Sequence, residues 1–153
     1  MITASIVTYS ENAITSNSDN KYKILVKLIN YLAKSILISQ ILVIDNSQKD
    51  YFSELKLISS KVIYKHMNGH NLGYGKAHNL SRKFLKLEKY HLIINPDIVF
   101  YNNDCLEFLY RYMDENHDTC MSQPLIYSYP KKEIQKLCKL NPSLFIQFSR
   151  LFL

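Results

Sequence analysis

The chain has 153 residues, a length that suits one compact domain rather than two of ordinary size. Hydrophobic residues make up 47% of it and charged residues 21%, which excludes collagen-like, disordered and disulfide-scaffold classes. The net charge of +6 favours an anionic partner without choosing among a nucleotide, an acidic lipid surface and a nucleic acid. No apolar run approaches the roughly 18 residues of a membrane span, and no signal-peptide pattern opens the chain, so we predict a cytoplasmic protein.

Apolar periodicity predicts alternating strands and helices. Short Ile/Val-rich runs at 4–9 and 41–45 are typical of strands buried on both faces, and a helix with one apolar stripe is predicted between them, over 21–35. The further predicted elements are a short helix near 50–59, a strand at 61–66, a helix at 76–87, a strand at 91–95 and a helix at 103–114. This order predicts an α/β domain with a mainly parallel sheet, whose ligand lies at the carboxyl ends of the strands.

The end of the chain has a different character. A basic stretch at 131–139 precedes a predicted helix that starts at Asn141 and carries an apolar stripe to Phe152. We therefore divide the chain into a domain over 1–130 and a C-terminal helical segment over 131–153. The stripe is expected to meet a missing part of the protein, a second copy of the chain or a membrane surface.

Cysteine and histidine spacing predicts neither a disulfide framework nor a zinc site. The cysteines lack any CxxC spacing, so we expect buried free thiols, and the histidines near residue 70 lack a second ligand pair, so we interpret them as loop residues. The residues concerned are Cys105, Cys120, Cys138, His66, His70 and His78.

All three glycines fall in one loop. Gly69, Gly73 and Gly75 lie within NGHNLGYG, between the third predicted strand and the following helix. Only glycine takes a positive φ without steric cost, so the backbone here either makes a sharp strand-to-helix turn or comes close to a ligand.

Four segments are predicted to share one edge of the sheet. They are Thr8-Tyr9, Asp45-Asn46-Ser47, the glycine loop and Asn95-Pro96-Asp97. Singly, Asp45 could cap a helix and Asp97 could start a turn, but their joint placement favours a site for a base, a ribose or a metal. Neither a dinucleotide fingerprint after the first strand nor a P-loop is present, so phosphates must be held in another way.

The strings SIVTY, VIDNSQKD, NLGYGKAHN and IINPDIVF, in this order, resemble the nucleotide-sugar-binding half of family 2 glycosyltransferases, closest to the rhamnosyltransferase type. The resemblance covers residues 4 to about 125. It implies a Rossmann-like GT-A fold and transfer of a sugar, with inversion, from a UDP- or dTDP-linked donor to a surface-polysaccharide or lipid-linked acceptor. The expected location is the cytoplasm, with peripheral association at the inner face of the membrane as an alternative.

The resemblance also implies roles for individual residues. Thr8 and Tyr9 would border the nucleoside and Asp45 would bind the base. The other donor-binding residues that it implies are Asn71, Gly73, Asn79 and Asn95. Asp97 would hold Mg²⁺ or Mn²⁺ on the diphosphate, while Asn95 stands where many relatives carry the first aspartate of the DxD element.

The general base that an inverting transfer needs is not identified. The acids after Asp97 lie mostly on or near a predicted helix, where a solvated role is commoner, and we expect a truncated or split gene product. One alternative is therefore a catalytically incomplete fragment that only binds a nucleotide or a partner chain. Another is a doubly wound binding module that shares only the architecture. Nucleic-acid binding is not expected, because the tyrosines are scattered and no RNP-like string occurs.

Overall fold

A computed structural model describes residues 1–11, 20–102, 104–128, 130–131 and 133–135. The chain divides into two compact units, Met1–Asn103 and Asp104–Leu153, which are considered separately below. The proposed boundary after residue 130 remains a prediction, and most of the predicted C-terminal segment over 131–153 lies outside the described residues.

The first unit is built on a four-stranded sheet. Its strands are β1 (Ile2–Thr8), β2 (Ile38–Asp45), β3 (Val62–His66) and β4 (Tyr90–Ile94). They run in the order β3-β2-β1-β4, and every neighbouring pair is parallel. All seven residues of β1 are buried, as expected for the central strand of a sheet covered on both faces. The prediction of an α/β domain with a mainly parallel sheet is therefore confirmed.

The helices of this unit are α1 (Asn20–Lys34), a 3-10 helix (Ser53–Leu57), α2 (Tyr74–Asn79) and α3 (Ser81–Phe84). The α1 helix buries the predicted apolar stripe through Leu25, Leu28, Ile29 and Leu32. The single helix predicted over 76–87 is wrong in extent: it begins at Tyr74, breaks at Leu80 and ends at Phe84. It ends early because Leu85 turns to extended backbone and enters the core beside Val7 and Ile44.

The strand order shows how the chain winds around the sheet. From β1 the chain crosses to β2 and on to β3, and it then returns over the sheet to place β4 on the other side of β1. Since parallel crossovers are right-handed, α1 and α2 must cover opposite faces. The direction of winding reverses between β1 and β4, and ligands of open α/β sheets bind outside the carboxyl ends of the strands at such a point.

The second unit contains α4 (Cys105–Glu115), close to the predicted helix, and a short antiparallel pair that was not predicted, β5 (Tyr127–Ser128) and β6 (Glu133–Ile134). Two-residue strands are too short to show an alternating pattern. Cys105 and Cys120 are free thiols, as expected. Burial was also expected, and this is wrong for Cys120, which is exposed, while Cys105 is only half-buried. Within the described residues, no helix is both long and apolar enough to cross a membrane.

Candidate functional site

The parallel register brings the strand ends to one edge of the sheet. Thr8 is paired with Asp45, Asp45 is paired with His66, and Ile94 ends β4 beside Ile6. The four segments of the predicted site follow these strand ends. We call this edge, with the segments Thr8–Ser10, Asp45–Ser47, Asn71–Tyr74 and Asn95–Asp97, the rim.

Asp45 is completely buried at the rim and accepts three hydrogen bonds. Its Oδ1 accepts the Ser47 amide at 2.9 Å and the Thr8 hydroxyl at 3.4 Å, and its Oδ2 accepts the Tyr64 hydroxyl at 2.8 Å. The next helix starts only at Ser53, so Asp45 does not act as its cap. Its carboxylate fixes the turn that leaves β2.

Tyr64 covers the outer side of Asp45. Its hydroxyl lies 2.8 Å from Asp45 Oδ2 and 2.6 Å from Asp50 Oδ1, although it has one hydrogen to donate. Burial, and then the hydrogen bonds to Asp50 and Asp45, raise the pKa of Tyr64 far above its usual value, so the hydroxyl stays protonated. Asp45 is completely buried, so the contact with a base that the resemblance implies would require its neighbours to move.

The loops after β1 and β2 are joined to each other. The Asn46 amide donates to the Thr8 carbonyl at 2.9 Å, and the Ser10 amide donates to Ser47 Oγ at 2.9 Å. Tyr9 is half-exposed beside them. The Asn46 side-chain oxygen is buried and has no hydrogen-bond partner among the described residues. A buried acceptor of this kind calls for a water or a ligand donor, which suits a binding site at the rim.

The glycine loop turns tightly into α2. The side-chain oxygen of Asn71 accepts the Gly73 amide at 2.9 Å, and Gly73 itself has φ 73° and ψ 168°. This combination is nearly exclusive to glycine. The loop is thus the sharp strand-to-helix turn that the sequence offered as one explanation, and it lies at the rim.

Two glycine substitutions test this backbone. Gly73→Ala is expected to lower the free energy of unfolding by about 1–2 kcal/mol, because alanine is strained at this φ although a Cβ would meet no atom within 4 Å. Gly75→Ala, inside α2 and equally open, is the matched control and is expected to be neutral or to stabilise by up to about 1 kcal/mol. Urea unfolding measures both. Equal effects would contradict the assigned backbone of Gly73.

The end of β4 contacts the start of α2. The Tyr74 hydroxyl donates to Asn95 Oδ1 at 2.9 Å, which joins the glycine loop to the Asn95-Pro96-Asp97 segment. Asn95 and Asp97 are exposed, and Pro96 and Asp97 form the turn that the sequence also allowed. That turn leaves the Asp97 carboxylate open to solvent.

Asn79 is less closely tied to the rim. It is the last residue of α2, five residues after Tyr74, or about 7.5 Å along the helix axis. The rim therefore unites Thr8, Tyr9, Asp45 and the Asn71–Tyr74 loop with Asn95 and Asp97. Nothing in the geometry joins Asn79 to them, so its contact with a nucleotide stays a prediction.

A hydrogen-bonded network of four polar side chains, three buried and His91 half-buried, lies behind the rim. Ser5 Oγ is 2.7 Å from His78 Nδ1 and 2.8 Å from His91 Nε2, and His91 Nδ1 is 2.8 Å from Thr3 Oγ1. Burial, followed by the nearby charge of His91, lowers the pKa of His78 to about 4, and burial also lowers the pKa of His91. Both rings are therefore neutral at pH 7.

This network was not predicted from the sequence. His78 was expected in a loop, whereas it is buried on α2, and His91, Ser5 and Thr3 were not singled out. A signal was present, because Thr3 and Ser5 are polar, two residues apart in a fully buried strand, and hence on the same face. Buried hydroxyls need partners, although the pattern does not say which ones.

A divalent cation fits the rim only if a bound ligand supplies some of its coordinating oxygens. Among the described residues, no three histidine, cysteine, aspartate or glutamate side chains lie together as a metal-binding group. Magnesium in nucleotide sites is commonly held by one or two carboxylates and the phosphates themselves. The exposed carboxylate of Asp97 suits that arrangement, in which the diphosphate supplies the other oxygens.

A shallow groove of about 150 Å³ lies elsewhere on the first unit. It is lined by Lys27, Leu28, Tyr31, Ile98, Val99 and Phe100. The rings of Tyr31 and Phe100 stack there at 4.2 Å. None of the predicted site residues lines this groove, so we do not assign it to the site.

Comparison with known proteins found no protein-family model and no curated protein that matches the chain.

Proposed function

We propose that the chain binds a nucleoside-diphosphate sugar at the rim and belongs to a glycosyltransferase that transfers the sugar with inversion. The observation that carries this proposal is the meeting of the four motif segments at one edge of an all-parallel sheet. Two of the links between them are direct hydrogen bonds, from the Ser10 amide to Ser47 and from the Tyr74 hydroxyl to Asn95. Any parallel sheet gathers its strand ends at one edge, so these links and the identity of the residues in the four strings support the proposal together.

The rim offers the groups that such a donor needs. Tyr9 and the loop after β2 lie where a base and ribose would be bordered, and the buried, unpartnered Asn46 oxygen is an acceptor in the same loop. Asn95 and Asp97 are open to solvent at the neighbouring strand end. When bound by Asp97 and the diphosphate, Mg²⁺ or Mn²⁺ would neutralise charge on the leaving group. The net charge of +6 also favours an anionic ligand.

The proposed binding site can be mapped by amide chemical shifts of the ¹⁵N-labelled chain titrated with UDP and Mg²⁺. We expect the largest changes at Ser10, Ser47 and Gly73, and little change at Leu37 and Lys61, which precede β2 and β3 at the opposite edge of the sheet. No response, or a response centred on Leu37 and Lys61, would contradict the proposed site. An equal response to ADP would favour the general doubly wound binding module.

The second candidate is a fragment that binds the nucleotide but does not transfer a sugar, since no residue has been assigned as the general base. It is separated from the first by incubating the chain with UDP- and dTDP-linked sugars and measuring nucleotide release and sugar transfer. Transfer that is lost in Asp97→Ala would exclude the binding-only fragment. Nucleotide binding without turnover would support it. The acceptor remains a proposal that follows from the resemblance. Membrane association and a second chain remain proposals that follow from the predicted C-terminal stripe.

A further inference from the structure

Tyr74 is held in place from behind the rim. Its ring packs edge-on against the ring of His78, with centroids 4.3 Å apart and planes at 71°. His78 is in turn bonded to Ser5 in the central strand at 2.7 Å. The Tyr74 side chain, which donates to Asn95, is therefore connected through His78 to the central strand of the sheet.

This contact decides which end of the Asn95 amide faces a ligand. An asparagine amide has one oxygen acceptor and an NH₂ group with two donors. Partial burial raises the pKa of Tyr74, so its hydroxyl keeps the proton that it donates to Asn95 Oδ1. With the oxygen engaged, the NH₂ group points away from Tyr74, on a residue that is exposed at the rim.

We propose that Tyr74 is a positioning residue that turns Asn95 into a hydrogen-bond donor for a diphosphate oxygen rather than a ligand of the divalent cation. This inference rests on the proposed function. Tyr74 takes one of the two lone pairs of the Asn95 oxygen, and a neutral amide oxygen is a weaker cation ligand than a carboxylate, so we assign coordination to Asp97. A bond from the Asn95 NH₂ group to an anionic oxygen is charge-assisted and needs no metal.

The first test is a double-mutant cycle on UDP affinity in EDTA, which removes the cation from the comparison. Tyr74→Phe keeps the ring against His78 and removes only the hydroxyl, and we expect it to weaken UDP binding about three- to tenfold. Asn95→Ala is expected to cost a similar factor. Tyr74→Phe in the Asn95→Ala background should then cost nothing more, because Tyr74 acts through Asn95.

Two controls separate an effect of Tyr74 on diphosphate binding from a non-specific disturbance of the folded site. Uridine, which has no phosphate, should bind Tyr74→Phe and the parent chain equally. Tyr101→Phe, which removes the hydroxyl of a fully exposed tyrosine, should leave UDP affinity unchanged. Equal loss of uridine and UDP affinity in Tyr74→Phe would overturn the inference, and so would additive losses in the cycle.

The second test adds charge at Asn95. Asn95→Asp places a carboxylate where the donor group was, so UDP affinity in EDTA should fall at least tenfold. Mn²⁺ should then raise the UDP affinity of Asn95→Asp by a larger factor than that of the parent chain, because a new oxygen ligand is present. An Asn95→Asp chain with the parent's affinity and metal dependence would overturn the inference. Failure of the parent chain to bind either UDP or dTDP would instead overturn the proposed function, and the inference with it; if only dTDP binds, the same cycle is run with dTDP and thymidine.

Discussion

Between pH 7.5 and pH 5, we expect the free energy of unfolding to fall by about 2 kcal/mol through His78 alone. The pKa of His78 is lowered from its usual value of 6.5 to about 4 in the folded chain, because the ring is buried behind the rim. In the unfolded chain the His78 ring therefore binds a proton near pH 6.5, whereas in the folded chain it binds that proton only near pH 4. The stabilising effect is complete above about pH 6.5 and is lost as the pH falls toward 4. His91, whose pKa is lowered too, adds to the loss.

The measurement is urea unfolding at several pH values between 5 and 7.5. His78→Asn removes the titrating ring but keeps a polar group for Ser5, so its stability should fall less with acid than that of the parent chain. Carboxylates titrate in both chains, and the difference between the two slopes isolates His78. His70→Asn changes an exposed histidine in the same part of the sequence and is the matched control. Equal slopes in the parent and His78→Asn would contradict the buried network.

The alternation of elements could be predicted because Ile/Val-rich runs and one-sided apolar stripes follow directly from burial. The start of β2 could not. The strand begins at Ile38, three residues before the predicted run, because Ser39 and Gln40 are polar residues with specific partners. The Ser39 hydroxyl donates to the Ile2 carbonyl, and the Gln40 side-chain oxygen accepts the Lys86 amide at 2.9 Å. Such tertiary partners leave no local pattern.

The same limit applies to the site. The positions of Asp45 and Asn95 at strand ends could be predicted, since parallel strands share a carboxyl edge. That Asp45 is enclosed by Tyr64, and that Tyr74 holds Asn95, depends on residues 19 and 21 positions apart along the chain. The sequence predicted which residues gather at the rim. The hydrogen bonds that engage their polar atoms could be found only in the structure.

The largest effect on ligand binding is expected for Asp97→Ala. In the presence of Mn²⁺, removal of this carboxylate should weaken UDP binding about 10- to 100-fold, because the cation loses its protein ligand at the diphosphate. In EDTA, Asp97→Ala should bind UDP as tightly as the parent chain or more tightly, since an exposed carboxylate without a cation repels the diphosphate. Asp118→Ala removes the same charge from an exposed residue of the second unit and should change neither affinity.

Calorimetric titration of the parent chain and Asp97→Ala with UDP and dTDP, in Mn²⁺ and in EDTA, tests for a donor site at the rim. We expect the parent chain to bind at least one of the two nucleotides, more tightly in Mn²⁺, and Asp97→Ala to lose this dependence on the metal. If neither nucleotide binds, with Mn²⁺ or with EDTA, a donor site at the rim is contradicted. Unchanged metal-dependent binding in Asp97→Ala would contradict the role assigned to Asp97.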